Sequence, residues 1–498
     1  MLDLLREIYE RLTSGGSTEE QAVQSGIWVA GINVGDRVLQ LLKVIILARL
    51  LSPEAFGLLG IALLVVAALR QFSAIGFDAA LVQHRDENVD EYLNTVWVMK
   101  MVRWLLIAAI AVPAAPYIAR FFSEPQAAPL IMTVAIANLL LAIQNPGVVY
   151  FRKNLNFHKE FIYTMSGRSV DLILAVAIAV VYQSVWALVL GIVAMNLMKV
   201  ASSYLIHEFR PSLEFNLEYA NEMFNFGKWI LLSGILAFLL TEGDDGFVGW
   251  FFSATALGFY QLGYRYSNAP ATEVTQVINR VAFPTFSRVQ GNIKKLRNGF
   301  LRVIRVTMVI SLPMSLGIVA VAPQFVIVVL GEQWRPMIPL MQALAIWGGM
   351  RSFSKIPPAV FKAVGKPEYD TYTLSIKVAV IALAIYPAAE YFGVIGVTYV
   401  IIGQGIISEP IRAYLALSLT ETNVSELFSP ILYPAVGSLG MFSVVTTINR
   451  VVFTGTGIIE LIVLITLGTV IYGGIMYLIE QMTSYEFTGI YDSVRQAV

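Results

Sequence analysis

Long apolar stretches separated by short polar connections recur along nearly the whole chain. The first 25 residues are polar and mixed in charge, and they lack the basic start and apolar centre of a cleaved signal peptide. A helix needs about 20 apolar residues to cross a bilayer. The pattern predicts fourteen transmembrane spans, numbered in order, with bounds 27–50, 56–82, 94–119, 127–149, 161–182, 185–206, 227–251, 255–283, 299–321, 336–357, 371–389, 393–416, 427–449 and 457–479.

Two stretches depart from this regular pattern. Residues 322–331 are apolar but too few to cross a bilayer, so we expect a loop helix there. Span 8 (255–283) contains Pro270 and many polar side chains. We expect it to be kinked, because neighbouring helices can satisfy the backbone groups that a proline frees.

Lys and Arg concentrate in alternate loops. Cytoplasmic loops of membrane proteins carry an excess of these residues. We therefore expect both termini in the cytoplasm, with residues 1–26 as an amphipathic lead-in and only Arg120 and Arg335 prominent outside. The loops on the cytoplasmic side then carry Arg85, Arg152, Lys153, Lys159, Arg210, Arg288, Lys294, Lys295, Arg297, Lys362 and Lys366.

Three short segments occur twice, in the same order and at nearly constant offsets of 201 to 209 residues. Such self-similarity indicates an internal duplication. The matches are residues 26–28 (GIW) with 227–229 (GKW), 52–57 (SPEAFG) with 253–258 (SATALG), and 163–168 (YTMSGR) with 372–377 (YTLSIK).

The repeat holds six spans, and an even number gives both copies the same orientation in the membrane. The fold class predicted is therefore all-α, a polytopic membrane protein with about 14 transmembrane helices in two parallel-repeat six-helix lobes plus two C-terminal helices. The lobes are residues 27–206 and 227–420, joined by a cytoplasmic linker at 207–226. Residues 421–498 supply the two extra helices and a cytoplasmic tail. Two such lobes around a midplane site are typical of an alternating-access carrier.

The composition supports a membrane protein. Hydrophobic residues make up 57% of the 498 positions and charged residues only 14%, against about 25% charged in a soluble domain. Lys+Arg and Asp+Glu both number 34, so net charge indicates no nucleic-acid partner. The cysteine count of zero excludes disulfides, thiolate metal sites and cysteine nucleophiles.

Several spans carry polar side chains on one face. Span 1 has Asn33, Asp36, Arg37, Gln40 and Lys43 three or four residues apart, and span 8 has a similar stripe. Ionisable groups inside a membrane usually line a cavity or pair with one another. The stripes predict a hydrated cavity between the lobes, whereas spans 3, 4, 9, 13 and 14 have nearly uncharged centres and should face lipid.

The charges of these side chains suggest roles. Deep residues of the first half are mainly basic, which suits an anionic ligand such as a phosphate ester. The acids of span 7 suit a cation, a proton site or pairing with the facing lobe. The candidate substrate-binding residues are Arg37, Lys43, Arg70, Arg168, Lys199 and Arg265; the candidate ion-coupling or gating residues are Asp36, Asp78, Glu242, Asp244 and Asp245.

Two further expectations follow from positions along the chain. Lys43 and Asp244 are equivalent at the 201-residue offset, so they could pair across the repeats in one state. Cations near span ends are better explained as side chains that reach the interface. These are Arg49, Arg280, Arg351, Lys355 and Arg412.

Signatures of enzyme chemistry are missing from the sequence. It has no phosphate-binding Gly-x-x-x-x-Gly-Lys-Ser/Thr loop, no His-Glu-x-x-His and no Gly-x-Ser-x-Gly motif. The three histidines, His84, His158 and His207, lie far apart in predicted loops. We therefore expect no enzyme activity, no metal site and no cofactor, with Na⁺ or H⁺ coupling as an open possibility.

Three blocks together resemble exporters of the Wzx type in the multidrug/oligosaccharidyl-lipid/polysaccharide superfamily, in particular the colanic-acid and teichuronic-acid branch. The resemblance covers nearly the whole chain. It implies fourteen helices in two lobes and transfer of a polyprenyl-pyrophosphate-linked oligosaccharide from the cytoplasmic to the outer leaflet. The blocks are 48–57 (ARLLSPEAFG) with 72–83 (FSAIGFDAALVQ); 257–260 (LGFY), 264–265 (YR), 270–273 (PATE) and 283–287 (FPTFS); and 330–334 (LGEQW) with 339–340 (PL).

The sequence is compatible with three functions to different degrees. The first is a flippase of an anionic lipid-linked oligosaccharide, acting in the cell membrane as a monomer. The second is a Na⁺- or H⁺-coupled multidrug antiporter of the same superfamily, in which Asp36 and Asp245 would act. The excess of basic residues in the first lobe argues against it. The third, a membrane glycosyltransferase or polymerase, needs a large extramembrane loop, and the predicted loops are short.

Overall fold

The computed structural model describes residues 18–73, 90–214, 234–235, 237–269, 286–289, 291–453, 455, 457–483 and 485. These residues form helices and connections, and no β-strand occurs among them, which confirms the all-α class. The helices are α1 (Thr18–Leu50), α2 (Pro53–Phe72), α3 (Asp90–Phe121), α4 (Ala127–Ala142), α5 (Val149–Lys153), α6 (Phe157–Tyr182), α7 (Trp186–Ile206), α8 (237–251), α9 (Ala254–Ser267), α10 (Ile293–Phe325), α11 (Ile338–Ser354), α12 (Pro357–Ala363), α13 (Glu368–Phe392), α14 (Val394–Thr420), α15 (Val424–Val451) and α16 (Ile458–Met482).

Many of these helices are suited to a membrane. Within the described ranges, nine are long and apolar enough to cross a bilayer. A tenth is added if α4 and the segment Pro146–Lys153, bent by 77°, form one span. The protein is thus a multi-pass membrane protein, and the predicted count of fourteen spans stays a prediction.

The chain divides into two compact units, residues Met1–Gly258 and Phe259–Val498. The division lies beyond the predicted linker at 207–226, so α8 is grouped with the first unit. Its contacts explain this grouping: Trp250 stacks on Phe121 of α3 with ring centroids 5.9 Å apart, and Gly246 lies against Leu64 of α2.

Within the first unit, α6 packs against both α1 and α7, while α4 packs against α2, α3 and α7. Within the second unit, α10 packs against α11 and α15, α13 against α14, and α15 against α16. Most outward side chains on these helices are large and apolar, as expected of surfaces that meet lipid.

Backbone geometry repeats as the sequence does. Residues with a left-handed conformation end corresponding elements of the two repeats, at offsets of 208 to 210 residues. The first copy uses ordinary residues at these turns and the second copy uses glycine. The pairs are Ser123 (φ 56°) with Gly331 (φ 115°), Leu155 (φ 54°) with Gly365 (φ 75°), and Gln183 (φ 45°) with Gly393 (φ 66°).

Helix starts repeat in the same way. Ser52 caps α2 by accepting a hydrogen bond from the backbone N–H of Ala55 (3.3 Å). Ser253, 201 residues later, caps α9 by accepting from the N–H of Ala256 (3.2 Å). Serine at this position satisfies one of the N–H groups that a helix start leaves open. These local features recur at the offsets of the short sequence matches, as an internal duplication predicts.

One local expectation is wrong. The segment 322–331 does not form a separate loop helix, because α10 continues through Pro323 to Phe325 and into a π-helical turn, Val326–Leu330. The wider turn gives the N–H of Gly331 the carbonyl of Val326 as acceptor, so the helix end keeps its backbone hydrogen bonds.

Candidate functional site

Two ion pairs connect α1 to α6 inside the first unit. The guanidinium of Arg168 donates to both carboxylate oxygens of Asp36, with Nη2 at 3.4 Å from Oδ2. Further along both helices, Nζ of Lys43 lies 2.5 Å from Oδ1 of Asp171, which is 2% exposed. Asp36 and Lys43, seven residues apart, lie on one face of α1. Arg168 and Asp171, three residues apart, lie on one face of α6, so the two pairs form where these faces meet. The polar face predicted for span 1 is therefore used to bind a neighbouring helix.

Lys199 on α7 completes this cluster. It is half-buried, and its Nζ lies 5.9 Å from the centroid of the Tyr163 ring. Its stem crosses α6 at Gly167, where a Cβ atom would stand 2.9 Å from Cγ of Lys199. In the described part of the chain no carboxylate lies within 4.0 Å of its ammonium group.

The cluster therefore has an excess of positive charge. Lys43, Arg168 and Lys199 supply three cations, and Asp36 and Asp171 supply two carboxylates, a difference of one. A cation without a carboxylate partner, held in an apolar helix bundle, attracts an anionic ligand more strongly than the same group would in water. We call these five residues the unit 1 cluster.

The remaining predicted residues have varied positions. Arg37, Arg70 and Arg265 are all exposed, on α1, α2 and α9. The carbonyl of Arg70 accepts a hydrogen bond from the Arg103 guanidinium of α3. Asp78 lies outside the described residues.

The acids predicted for span 7 lie on α8 in the first unit. Asp244 is 9% exposed, and Glu242 and Asp245 are half-buried. Lys43, which the 201-residue offset relates to Asp244, has Asp171 as its ion-pair partner.

The second unit contains a buried network of charges on α11, α13 and α14. Nζ of Lys377 lies 2.5 Å from Oε1 of Glu409 and 3.0 Å from Oγ of Ser354. Ser354 also donates to Glu409 at 2.6 Å. Arg412 binds the carbonyl of Ser354 at 3.1 Å and the carboxylate of Asp370 at 3.1 Å. These bonds tie the end of α11, whose last carbonyls lack helical partners, to α13 and α14.

Burial of this network is nearly complete. Lys377 is 8% exposed, Glu409 7% and Arg412 3%. The second carboxylate oxygen of Glu409 has no hydrogen-bond partner among the described residues. We call Ser354, Asp370, Lys377, Glu409 and Arg412 the unit 2 network.

The two groups occupy equivalent places in the duplication. Arg168 matches Lys377 at the offset of 209, and Lys199 matches Glu409 at 210, the offset that also aligns Tyr204 with Tyr414. Each repeat thus places a cation on an equivalent helix, Arg168 on α6 and Lys377 on α13. In the second repeat Glu409 of α14 pairs with Lys377. In the first repeat the equivalent residue on α7 is Lys199, and Asp36 of α1 supplies the carboxylate that pairs with Arg168.

Sequence reasoning missed most of the unit 2 network. It interpreted Arg412 as a cation near a span end, and it singled out neither Glu409 nor Ser354. One signal was present: the YTMSGR and YTLSIK match aligns Arg168 with Lys377 and so marks the equivalent position of the second lobe.

Comparison with known proteins identifies the family. A family model described as "Polysaccharide biosynthesis protein" matches residues 46–339, more than half of the chain. The chain belongs to this polysaccharide biosynthesis protein family. The resemblance inferred from the sequence blocks is thereby confirmed.

Curated relatives agree with this assignment. The chain is 25% identical over 363 residues to the teichuronic acid biosynthesis protein TuaB of Bacillus subtilis, covering 72% of this chain and 75% of the relative. It is 25% identical over 388 residues to the lipopolysaccharide biosynthesis protein WzxC of Escherichia coli, covering 77% and 78%. It is 26% identical over 326 residues to the succinoglycan biosynthesis transport protein ExoT of Rhizobium meliloti, covering 65% of each chain.

Solved structures show the same fold. The lipid II flippase MurJ in an inward closed conformation superposes with a TM-score of 0.71 at 14% identity, covering 91% of this chain and 99% of MurJ. An inward-facing multidrug resistance transporter of the MATE family gives a TM-score of 0.58 at 15% identity, covering 78% and 96%. At these identities the likeness establishes the architecture of this polysaccharide biosynthesis protein and not its cargo.

Proposed function

We propose that this protein is a flippase that carries a polyprenyl-pyrophosphate-linked oligosaccharide across the cell membrane for the synthesis of a surface polysaccharide. The observation that carries the proposal is the unit 1 cluster, where Lys43 and Arg168 have carboxylate partners and Lys199 has no carboxylate within 4.0 Å among the described residues. A pyrophosphate supplies the anionic oxygens that such a cation binds.

Family membership and the relatives' names support the same function. The relatives act in polysaccharide biosynthesis, and one of them is named a transport protein. Movement would follow alternating access, which exposes the site first to the cytoplasm and then to the outside. The cargo crosses unchanged, so this function requires no bond to be made or broken. In the orientation expected from the charged loops, both termini would lie in the cytoplasm.

The proposal gives each charged residue a role. The Lys199 ammonium would hold the pyrophosphate as a point charge. Asp36 and Asp171 would position Arg168 and Lys43 between α1 and α6. Arg37 and Arg70, which are exposed on the first unit, would make further contacts with the cargo, and coupling to Na⁺ or H⁺ would involve the acids of α8. Arg265, exposed on α9 in the second unit, stays a candidate from its position in the sequence.

A multidrug antiporter fits the unit 1 cluster less well. A cationic drug needs an available carboxylate, and both Asp36 and Asp171 already bind a cation of the same unit. The site therefore favours an anionic cargo over a cationic one.

The test uses purified protein in vesicles that contain a fluorescent lipid-linked oligosaccharide, with its arrival in the opposite leaflet as the readout. A charge-assisted contact is worth about 1.5–3 kcal/mol, so Lys199→Ala should weaken cargo binding by roughly 10- to 150-fold. Lys199→Arg should retain part of the transport, because the charge remains. Leu197→Ala, on the same helix at a 49% exposed side chain, is the matched control and should transport normally. Unchanged transport by Lys199→Ala would refute this site.

A further inference from the structure

α10 is longer than a bilayer requires. Its 33 residues extend about 50 Å, whereas the hydrocarbon core is about 30 Å thick. Residues 306–330 contain no charged side chain, but five cations lie between positions 294 and 305. The first three turns of α10 therefore stand at the level of the lipid headgroups and beyond them.

One face of these turns packs inside the second unit, to which α10 belongs. Leu296, Phe300 and Ile304, spaced four residues apart, are at most 1% exposed. They pack with Phe361 of α12 and Leu417 of α14 in one hydrophobic cluster. The orientation of the opposite face is set by this packing.

The opposite face is basic. Lys294, Lys295 and Arg302 are exposed. Arg302 follows the two lysines by eight and seven positions, which places it two turns away along the same side of the helix. We call these three residues the basic face. None has a carboxylate within 4.0 Å in the described parts of the chain.

The other two cations of this segment bind within the unit. Arg297 pairs with Glu426 at 2.9 Å, and the guanidinium of Arg305 lies 5.2 Å from the centroid of the Tyr485 ring. Arg297 and Arg305 thus bind groups inside the unit, whereas the three cations of the basic face point away from it. The sequence offers no nearby counter-charge either, since residues 274–331 contain seven Lys or Arg and no Asp or Glu.

We infer that the basic face binds the headgroups of anionic phospholipids in the leaflet that surrounds the start of α10. By the orientation expected from the loops, this is the cytoplasmic leaflet. Clusters of Lys and Arg beside a membrane span attract anionic lipid, and the phosphates lie at the depth where these side chains end. The inference is independent of the cargo, because it concerns the lipid that surrounds the protein.

The test measures thermal unfolding of the protein in detergent with added phosphatidylglycerol or, separately, phosphatidylcholine. Orientation in a membrane plays no part in this measurement. Phosphatidylglycerol should raise the unfolding midpoint of the wild type more than phosphatidylcholine does. Each cation removed should lower the affinity for phosphatidylglycerol about fivefold. The triple variant Lys294→Gln, Lys295→Gln, Arg302→Gln should therefore lose most of the difference between the two lipids.

Two controls make the result specific. Lys294→Arg, Lys295→Arg, Arg302→Lys keeps the charges and should keep the response to phosphatidylglycerol. Arg335→Gln removes a 72% exposed cation at the other end of the unit's long helix and should leave the response unchanged. If the triple variant does not fold, Lys295→Gln alone should show the fivefold loss.

Three results would overturn the inference. The first is a full response to phosphatidylglycerol in the triple variant, and the second is an equal loss in the Arg335→Gln control. The third is an effect of inorganic pyrophosphate that equals that of phosphatidylglycerol and depends on the same three residues, because the basic face would then bind a soluble diphosphate.

Discussion

Gly57 and Gly258 occupy equivalent positions in the two repeats, and each lies against the backbone at the start of the other's helix. A Cβ atom on Gly57 would overlap the carbonyl of Ala254, and one on Gly258 would overlap the carbonyl of Pro53. Ala254 follows Pro53 by 201 residues, as Gly258 follows Gly57. The contact is therefore reciprocal between α2 and α9, and it requires residues without side chains on both helices.

The first prediction concerns this contact. Gly57→Ala should lower the thermal stability of the detergent-purified protein by several degrees, because the added methyl meets a backbone carbonyl that cannot rotate away. In an unobstructed helix the same substitution gains roughly 0.5–1 kcal/mol. Gly403→Ala in α14 is the control, since nothing lies within 4 Å of its Cβ position, and it should be neutral or stabilising. Equal melting temperatures for the Gly57 and Gly403 variants would contradict the close contact.

The sequence predicts the helices of this fold better than it predicts the contacts between them. The apolar stretches and the repeat offsets predicted the helices and their duplication, and even the caps at Ser52 and Ser253 fall at matched positions. The reciprocal glycine contact could not be predicted, because an offset says that two segments are alike and not that they touch.

The second prediction tests the pair formed by Asp36 and Arg168. Their side chains are 27% and 24% exposed, so each single replacement by Ala should destabilise the protein by roughly 1–3 kcal/mol, less than for a fully buried pair. Replacing both should cost less than the sum of the single changes. The measurement is a double-mutant cycle of thermal unfolding. Additive effects would mean that the two side chains act independently.

The third prediction concerns the unit 2 network. Glu409→Gln removes the charge that separates Lys377 from Arg412, and two buried cations then face a neutral amide. Loss of one partner from a buried pair typically costs about 3–5 kcal/mol. The double variant Lys377→Met, Glu409→Gln should be more stable than Glu409→Gln alone, because it removes the unpaired ammonium. Glu426→Gln, at a half-exposed pair with Arg297, is the control and should lose less than 1 kcal/mol by the usual scale of surface pairs. A double variant less stable than Glu409→Gln would contradict the pairing.

The candidate sites show a second limit of sequence reasoning. Lys43, Arg168 and Asp36 were recognised because their spacing on a helix is a local property of the chain. Their partners were not predicted, because Arg168 and Asp36 are 132 residues apart and only packing of α1 on α6 joins them. The prediction for Arg412 was wrong for a physical reason as well. Its position near the end of a predicted span suggested exposure at the membrane interface, but residues of α11 and α13 cover its guanidinium.

The last prediction concerns the partner of Lys43. Equivalence at the 201-residue offset suggested Asp244, whereas the structure gives Lys43 the carboxylate of Asp171 at 2.5 Å. Asp171 is 2% exposed, so an uncompensated charge there is costly. Lys43→Ala should therefore destabilise the protein by roughly 3–5 kcal/mol. Asp171→Asn in the same background should restore part of that loss, because the buried carboxylate is gone.

Asp244→Asn provides the comparison, since Asp244 is also buried, at 9% exposure, but on α8. Its effect should add to that of Lys43→Ala, as independent sites do within about 0.3–0.5 kcal/mol. Thermal unfolding of the three single and two double variants measures both couplings side by side. A larger coupling of Lys43 to Asp244 than to Asp171 would show that the repeat offset, and not the contact between α1 and α6, identifies the ion pair that stabilises the protein.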